Sequence, residues 1–318
     1  MPERHPDPLI SIVFSFRNEA DVIPLLIERV QRAFKDCTAR YEMVFVNDDS
    51  TDDSLRLLQE ANAKDAGVKV ISTARRTGVA ECVLAGFSYA TGDAVVYMDS
   101  DLQDPPELIP KLIERWQDGA DVVHTVRSRR EGENPVKLAI TYFAYRMIRK
   151  ISSVQIPVDA GDFKLLSRRV VGHILDLRER NPYLRGMVAW VGYRQDEVKY
   201  VREARAGGIT HFPILATINP LKTLILGLTS YSMFPLFVSS ILSLFLCLGS
   251  LLGLLVLIGL SLSGHSVSGT WWLAWGLSAS MAVQLFFIGI ASLYIARVFD
   301  DVRRRPNFII ADTIGFDD

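Results

Sequence analysis

Three clusters of acidic and amide side chains follow short apolar segments in the first third of the chain. They are Asn18-Glu19, Asn47-Asp48-Asp49 and Asp99-Ser100-Asp101, and Gln103 and Asp104 follow the third cluster. Their oxygens are the hard ligands that Mg²⁺ and Mn²⁺ prefer. Asp and Asn also form turns and helix caps, so one cluster alone would indicate little. Three clusters at three predicted strand ends favour one shared site.

Alternating strands and helices would bring these clusters together. Runs rich in β-branched and aromatic residues predict strands, and segments with a helical period predict the helices between them. The predicted strands are Leu9–Phe16, Tyr41–Val46, Val68–Ser72, Ala94–Met98 and Asp121–Val126, and the helices are Asp21–Phe34, Ser54–Ala63 and Gly78–Ala90. This order predicts an α/β fold with a parallel sheet, whose ligands bind beyond the carboxyl ends of the strands. Because the chain has no glycine-rich phosphate loop, a bound diphosphate would need a divalent metal held by carboxylates.

Charge divides the 318 residues into two parts. The formal net charge of −1 argues against a nucleic-acid-binding protein. No charged residue lies between Lys222 and Arg297, and the apolar runs Met233–Leu262 and Trp271–Ala296 each exceed the roughly 20 residues that cross a bilayer. Lys and Arg flank these runs but are absent from the link 263–270, which predicts a two-helix transmembrane hairpin with both flanks in the cytoplasm. A buried helical hairpin in a soluble protein is the alternative.

The predicted domain organisation follows from this division. Residues 1–212 form a cytoplasmic α/β domain, with an amphipathic interfacial helix near 135–151. Residues 213–232 form a juxtamembrane interfacial helix, residues 233–298 contain the two transmembrane helices, and residues 299–318 form a cytoplasmic tail. For the two amphipathic segments, packing in the core is the alternative. We therefore expect a multi-pass protein of the inner or plasma membrane.

The segment Met98–Glu107, with the sequence MDSDLQDPPE, carries the clearest resemblance to a known family. It resembles the Asp-x-Asp-Leu-Gln-x-Pro-Pro-Glu element of the inverting glycosyltransferases of family 2, which have a GT-A (Rossmann-like) fold. More narrowly, the chain resembles the polyprenyl-phosphate glycosyltransferases, such as dolichol-phosphate mannose synthases and bacterial undecaprenyl-phosphate glucosyl- and aminoarabinosyl-transferases. The resemblance extends over nearly the whole chain, and Ala90–Asp93 also matches the family pattern.

The resemblance implies a metal site and a nucleotide-sugar site. Mg²⁺ or Mn²⁺ is implied on Asp101 and Gln103, with Asp99 assisting. The residues implied to bind the donor are Ser15, Asn18, Glu19, Asp48, Arg75 and Asp99. Ser15, Arg17 and Asn47 depart from the family pattern at the ends of the first two strands.

The resemblance also implies an acceptor site. Asp159–Lys164 (DAGDFK) resembles a Gly-Asp-Phe-Arg segment of the bacterial members that lies near the acceptor, and Asn181–Gly186 and Trp190–Tyr193 match the same subset. Asp162, or alternatively Asp159, would position or deprotonate the acceptor, and a cap or turn is the alternative role. Arg suits phosphate because its fork binds two oxygens, whereas a run of charges is also typical of a solvated surface. The candidate cations are Arg127, Arg129, Lys137, Arg202 and Arg205.

The function implied is metal-dependent, inverting transfer of a sugar from a nucleotide sugar to undecaprenyl or dolichyl phosphate at the cytoplasmic membrane face. Glucose from UDP-glucose is the leading expectation, because the bacterial glucosyl members share the Gly-Asp-Phe and Leu-Arg-Gly features. A GDP-mannose-dependent mannose synthase and a nucleotide-sugar-binding membrane protein without catalysis are the alternatives. A processive polysaccharide synthase is disfavoured, because the chain lacks a Gln-x-x-Arg-Trp element. The expected partners are a UDP-sugar, the polyprenyl phosphate, the bilayer and further copies of the chain, for example in a tetramer.

Overall fold

A computed structural model describes most of the chain outside two long gaps. The described residues are 4–129, 160–180, 182–201, 268–303 and 305–316, with single helical positions between 245 and 263. Two compact units are present. The first comprises Met1–Lys150, Val154–Leu224 and Pro306–Asp318, and the second comprises Ile151–Ser153 and Ile225–Arg305.

The described elements alternate between strands and helices through most of the first unit. In chain order they are β1 (Leu9–Phe16), α1 (Ile23–Phe34), β2 (Arg40–Asn47), α2 (Ser54–Lys64), β3 (Val68–Thr73), α3 (Val79–Tyr89), β4 (Ala94–Asp99), a 3₁₀ turn (Pro106–Leu108), α4 (Ile109–Gln117), β5 (Val122–Arg129), β6 (Ala160–Ser167), α5 (Arg168–Leu177), α6 (Leu184–Val191), β7 (Gln195–Val201), α7 (Gly269–Val302) and β8 (Ile310–Ile314). The predicted α/β alternation is confirmed, and the fifth predicted strand continues to Arg129 instead of ending at Val126.

Eight strands form one sheet in the order β7-β5-β6-β4-β1-β2-β3-β8. Strands β6 and β8 are antiparallel to their neighbours, and the other pairings are parallel. In the register, Phe16 lies beside Asn47 and Ser15 lies beside Asp99, so three strand ends are level. We call this side of the sheet the carboxyl edge; there the parallel strands end and the antiparallel strands begin, at Phe16, Asn47, Thr73, Asp99, Arg129, Val201, Ala160 and Ile310.

Hydrophobic cores lie on both faces of the sheet. Ile12 and Phe14 belong to the core that includes α1 and α4, whereas Val13 between them belongs to the core that includes α3, α5 and α6. Burial on both faces explains why the parallel strands read as continuous apolar runs. The Phe14 and Phe45 rings stack with centroids 4.8 Å apart. Each such buried side chain contributes about 1.5–3 kcal/mol, which holds the carboxyl edge in place.

A buried carboxylate, that of Glu42, stabilises the opposite edge of the sheet by accepting hydrogen bonds. Glu42 accepts hydrogen bonds from Ser11 Oγ at 2.5 Å, Lys69 Nζ at 2.8 Å and Thr91 N at 2.6 Å. Burial alone would raise the pKa of Glu42, but these donors lower it below the ordinary value. Gly92 N donates to Ser11 Oγ at 2.8 Å, so the Ala90–Asp93 turn, which matches the family pattern, has a structural role away from the carboxyl edge.

The second unit is described chiefly through α7. Among the residues that the structure describes, no helix has the length and hydropathy required of a membrane span. The predicted transmembrane hairpin and the domain boundaries around it therefore stay predictions. The predicted interfacial helices near 135–151 and at 213–232 lie outside the described residues. Residues 299–318, predicted as a tail, contain the end of α7 and β8.

Candidate active site

The three predicted metal ligands lie at the end of β4 and in the turn that follows it. Asp99, Asp101 and Gln103 are partly exposed, and they alternate with buried residues at 100, 102 and 104. The turn depends on a left-handed backbone at Leu102, whose φ is 57° and whose side chain is buried. Gln103 N donates to Asp101 Oδ1 at 3.1 Å, which fixes the Asp101 carboxylate within the turn. The three predicted ligands are therefore the partly exposed residues of this segment, and their contacts with a metal stay predictions.

The side chains of this turn fit Mg²⁺ or Mn²⁺ in their chemistry. Two carboxylates and one amide supply hard oxygen donors, and Mg²⁺ is commonly bound by one or two carboxylates together with substrate phosphates. Within the described part of the chain, no group of three or more Asp, Glu, His or Cys side chains is placed to hold a metal. Asp104 is fully buried and accepts a hydrogen bond from the Tyr200 hydroxyl, so it anchors the turn to β7.

Asp48, the residue implied to contact the donor base, organises the start of α3. Its Oδ1 accepts hydrogen bonds from Thr77 N at 2.6 Å and Thr77 Oγ1 at 3.2 Å, and its side chain is buried. Asp48 N donates to Phe16 O at 3.0 Å, which ties the end of β2 to β1. We call residues 74–78, between β3 and α3, the donor loop. The Asp48 carboxylate fixes the position of this loop.

Asn18 joins the loops that follow β1 and β2. Its φ of 56° is left-handed, a conformation that Asn tolerates better than most residues. Thr51 N donates to Asn18 Oδ1 at 2.8 Å, and Glu19 N donates to Ser54 Oγ at 3.0 Å. The Asn47 amide oxygen likewise accepts from Ser50 N at 3.0 Å, so this departure from the family pattern builds a turn. These contacts give Asn18 and Asn47 structural roles beside the predicted donor site.

Ser15 and Arg75 lie at the ends of β1 and β3, as their predicted roles require. Ser15 is beside Asp99 in the register and is partly exposed. The carbonyl of Arg75 accepts a hydrogen bond from Thr73 Oγ1 at 3.0 Å, and its side chain is exposed. Their contacts with a nucleotide sugar stay predictions.

The predicted catalytic residue Asp162 lies on β6, which pairs with β4, the strand that leads into the turn of the predicted metal ligands. Tyr97 of β4 is opposite Lys164 of β6 in an antiparallel register, and Asp162 precedes Lys164 by two residues on β6, toward the end of β4 at which Asp99 lies. Arg185 of α6 donates from Nε to Asp162 Oδ1 at 2.8 Å and from Nη2 to Asp162 Oδ2 at 2.6 Å. The Gly-Asp-Phe and Leu-Arg-Gly segments are therefore joined by one ion pair, between residues that are 23 positions apart in the sequence.

A buried lysine and a buried tyrosine lie near this ion pair. Lys164 is 1% exposed, and its Nζ is 5.5 Å from the centroid of the Tyr97 ring. Burial lowers the pKa of Lys164 to about 8, although Asp162 acts in the opposite direction. Burial, with a further contribution from Asp162, raises the pKa of Tyr97 well above its ordinary value. The Tyr97 hydroxyl has no hydrogen-bond partner among the described residues.

Sequence reasoning did not single out Arg185, Lys164 or Tyr97 as site residues. A lysine inside a strand of apolar residues was the available signal for Lys164, and the Leu-Arg-Gly motif was the signal for Arg185. Tyr97 has no such signal, because an aromatic residue in a buried strand is typical of core packing.

Two of the predicted acceptor-site residues lie on β5. Arg127 and Arg129 lie on β5 at the carboxyl edge, opposite Tyr200 and Val201 of β7, but only their backbone is described. The others lie outside the described residues, namely Asp159, Lys137, Arg202 and Arg205. The acceptor-phosphate site stays a prediction.

Comparison with known proteins gives consistent results across the chain. The family model described as glycosyl transferase family 2 matches residues 11–175. The uncharacterized glycosyltransferase YkcC of Bacillus subtilis is 36% identical over 314 residues, covering 96% of this chain and 94% of its own. The SfII prophage-derived bactoprenol glucosyl transferase of Shigella flexneri is 37% identical over 302 residues, covering 95% and 97%. The uncharacterized glycosyltransferase sll0501 of a Synechocystis strain is 34% identical over 310 residues, covering 97% and 96%.

Proposed function

From the premise that the chain belongs to glycosyltransferase family 2, we propose that it transfers glucose from UDP-glucose to a polyprenyl phosphate. The enzyme class and the GT-A type of α/β fold follow from the family. The observation that carries the proposal is that Asp162, which is paired with Arg185 of α6, lies on β6 beside β4, the strand that leads to Asp99 and Asp101. The name of the relative from Shigella flexneri, a bactoprenol glucosyl transferase, supports the choice of sugar and lipid.

The donor half of the proposed site is the turn after β4 together with the donor loop. Asp101, Gln103 and Asp99 would hold Mg²⁺ or Mn²⁺, which when bound supplies a Lewis acid for the charge on the leaving diphosphate. Asp48 holds the donor loop through Thr77 and presents it to the nucleotide. Arg75, on the same loop, adds a positive charge near the expected position of the nucleotide.

The acceptor half uses a nucleophile that needs little activation. The second pKa of a phosphate monoester is about 6, so the acceptor oxygen is anionic at neutral pH and a strong general base is unnecessary. We assign Asp162 the task of orienting the Arg185 guanidinium, whose positive charge would attract the acceptor phosphate. The acceptor oxygen forms a bond to the anomeric carbon from the face opposite the nucleotide, the bond from that carbon to the donor phosphate oxygen breaks, and UDP leaves with the electron pair.

A lipid acceptor requires the protein to associate with a membrane. Large apolar side chains of α7 are exposed in this chain, among them Trp272, Leu277 and Ile295. Exposed apolar surface of this kind is typical of a protein that contacts a membrane or a partner. The chain leaves the sheet at Val201 and re-enters it at Ile310, so any crossings of a bilayer between these residues are even in number. An even number agrees with the predicted hairpin, and the Lys and Arg residues that flank the apolar runs support a catalytic domain on the cytoplasmic face.

The test is sugar transfer by the full chain in detergent with undecaprenyl phosphate and Mg²⁺ or Mn²⁺. Radiolabelled UDP-glucose, UDP-galactose, UDP-N-acetylglucosamine and GDP-mannose are compared as donors. We expect label to enter the lipid from UDP-glucose, and to be lost with EDTA or in Asp101→Ala. Asp53→Ala is the matched control, because Asp53 is an exposed carboxylate paired with Arg56 on the surface.

Transfer from GDP-mannose alone would replace the glucose assignment with mannose. Nucleotide binding without transfer from any donor would support a binding protein and contradict the proposed reaction. The expected assembly of several copies is checked by particle mass in the same detergent, where a monomer would contradict it.

A further inference from the structure

We propose that the segment 306–316, which follows the second apolar run, is a strap that positions the nucleotide-binding half of the site. This inference rests on the proposed function, because it assumes that the donor loop binds a nucleotide. We call residues 306–316 the C-terminal strap. It contains β8, which adds an antiparallel strand to β3 at the end of the sheet.

The strap is bonded directly to the first residue of the donor loop. Ile310 lies opposite Thr73 in the β3–β8 register, and Ala74 N donates to Ile309 O at 2.8 Å. Without the strap, β3 would become an unpaired edge strand. The backbone of the loop would lose its bond at Ala74 at the same time.

The beginning of the strap is tied to the segment that follows α5. Asn307 Nδ2 donates to Glu179 O at 2.7 Å, and Arg180 Nη1 donates to Pro306 O at 2.6 Å. The strap therefore links this segment to the donor loop. These polar contacts lie at the carboxyl edge, where Ile310 begins β8.

The end of the strap is packed into the domain. The Phe316 ring lies 5.2 Å from the Tyr89 ring and 5.2 Å from Lys69 Nζ. Phe308 and Ile310 pack against the core that includes α3. Apolar packing and hydrogen bonds along its length therefore hold the strap to the sheet.

The donor loop is held from two sides, and the strap is one of them. Asp48 Oδ1 holds the loop through Thr77 N, and Ile309 O holds it through Ala74 N. Loosening the strap would therefore free one side of the donor loop, which includes Arg75 and bonds Asp48, and nucleotide affinity would fall.

The strap also bears on the charge near this loop. Burial and the charge of Asp48 raise the pKa of Glu81 on α3, while Arg180, which donates to Pro306 O of the strap, acts in the opposite direction.

Two variants of the full-length protein in detergent test this inference through binding of UDP with Mn²⁺. Asn307→Ala removes one neutral hydrogen bond of the strap, and we expect the Kd for UDP to rise about fivefold. Ending the chain after Arg305 removes the strap, and we expect a rise of at least tenfold. Asp312→Ala is the matched control, because Asp312 is an exposed residue of β8 whose side chain accepts a hydrogen bond from the neighbouring Thr313 N. Its Kd should match the wild type.

Hydrogen exchange of the unaltered protein gives a second, independent readout. Coupling between two sites is reciprocal, so UDP with Mn²⁺ must slow amide exchange in residues 310–314 if the strap stabilises bound UDP. In kinetics, Asn307→Ala should raise KM for the nucleotide sugar while leaving KM for the lipid unchanged, which a general loss of folding would not do. If the shortened chain does not fold, the point variant and the exchange measurement decide.

Failure of the strap and failure of the proposed function give different results. Wild-type binding of UDP, with an unchanged Kd in Asn307→Ala and no protection of residues 310–314, overturns the strap and leaves the proposed function intact. Absence of UDP binding by the wild type overturns both.

Discussion

Arg185 and Asp162 form a bidentate ion pair, with Nε–Oδ1 and Nη2–Oδ2 distances of 2.8 Å and 2.6 Å. The pair is partly buried, with side-chain exposures of 23% and 36%. Both carboxylate oxygens accept from the guanidinium, so Asp162 is better suited to orienting a cation than to abstracting a proton. An anionic acceptor phosphate needs that cation and not a base.

Substitutions at Arg185 separate its geometry from its charge. Arg185→Ala should lower kcat/KM for the lipid acceptor by about 100-fold, because misplaced reactants commonly cost that much. Arg185→Lys keeps the charge but loses the planar fork, so we expect an intermediate loss of about tenfold. The measurement is the initial rate of sugar transfer at several lipid concentrations.

The control for Arg185 is Arg115→Ala, which removes an arginine whose contact with Asp196 is long and exposed. A double-mutant cycle with Asp162→Asn should be strongly non-additive, since the two residues act as a pair. Wild-type rates in Arg185→Ala would remove Arg185 from the acceptor site.

Asp48 combines a structural bond and a charge, and two substitutions distinguish them. Asp48→Asn keeps an oxygen that can accept from Thr77 N, so we expect the fold of the donor loop to persist and KM for the nucleotide sugar to rise about tenfold. Asp48→Ala also removes the acceptor, which should lower the melting temperature as well. Steady-state kinetics and thermal unfolding together check this. Equal kinetics for Asp48→Asn and the wild type would show that the charge is unnecessary.

The positions of the first five strands along the chain could be predicted from the sequence, whereas the strands that complete the sheet could not. Leu9–Phe16 and Ala94–Asp99 are continuous apolar runs because parallel strands are buried on both faces. Strand β6 contains Gly161, Asp162 and Lys164, which interrupt the apolar pattern. Strand β8 pairs with β3 over more than 230 intervening residues, and no local pattern indicates a partner so distant.

Part of the candidate site was predictable because its residues follow strand ends in one segment. Asp99, Asp101 and Gln103 are close in the sequence, and each is partly exposed while the residues between them are buried. The Asp162–Arg185 pair depends on how α6 packs beside β6, which is tertiary information. The Ala90–Asp93 motif matched the family, but its contacts with Glu42 and Ser11 are at the opposite edge of the sheet.

The buried Lys164 should make stability depend on alkaline pH. Its pKa is lowered by burial from 10.5 to about 8 in the folded protein. Below pH 8 both states hold the proton and the cost of burying the ammonium is fully present. Between pH 8 and 10.5 only the unfolded state holds it, so the free energy of unfolding rises with pH, by about 3 kcal/mol at most.

Lys164→Met isolates this contribution, since Met fills a similar volume without a charge. Unfolding by urea, followed through tryptophan fluorescence to which the buried Trp116 contributes, is compared for both proteins from pH 7 to pH 10. We expect the difference in unfolding free energy between Lys164→Met and the wild type to shrink as pH rises. Parallel curves would show that Lys164 has an ordinary pKa.

Gly92 is required by a close approach of two backbone segments. A Cβ at this position would lie 2.6 Å from Leu9 O and 2.7 Å from Ser11 N, and backbone atoms cannot move aside as a flexible side chain can. Gly92→Ala should therefore destabilise the first unit by about 1–3 kcal/mol, the range for overpacking a filled site.

The contrasting site is Gly172 in α5, where no atom lies within 4 Å of the added methyl group. Ala has the higher helix propensity, so Gly172→Ala should stabilise by up to about 1 kcal/mol. Thermal unfolding of both variants in the same detergent should give melting temperatures on opposite sides of the wild type, because a side chain has no room at Gly92 and has room at Gly172. A Gly92→Ala protein that melts with the wild type would mean that the turn after α3 can move away from β1, and the hydrogen bond from Gly92 N to Ser11 Oγ would then contribute little to the sheet.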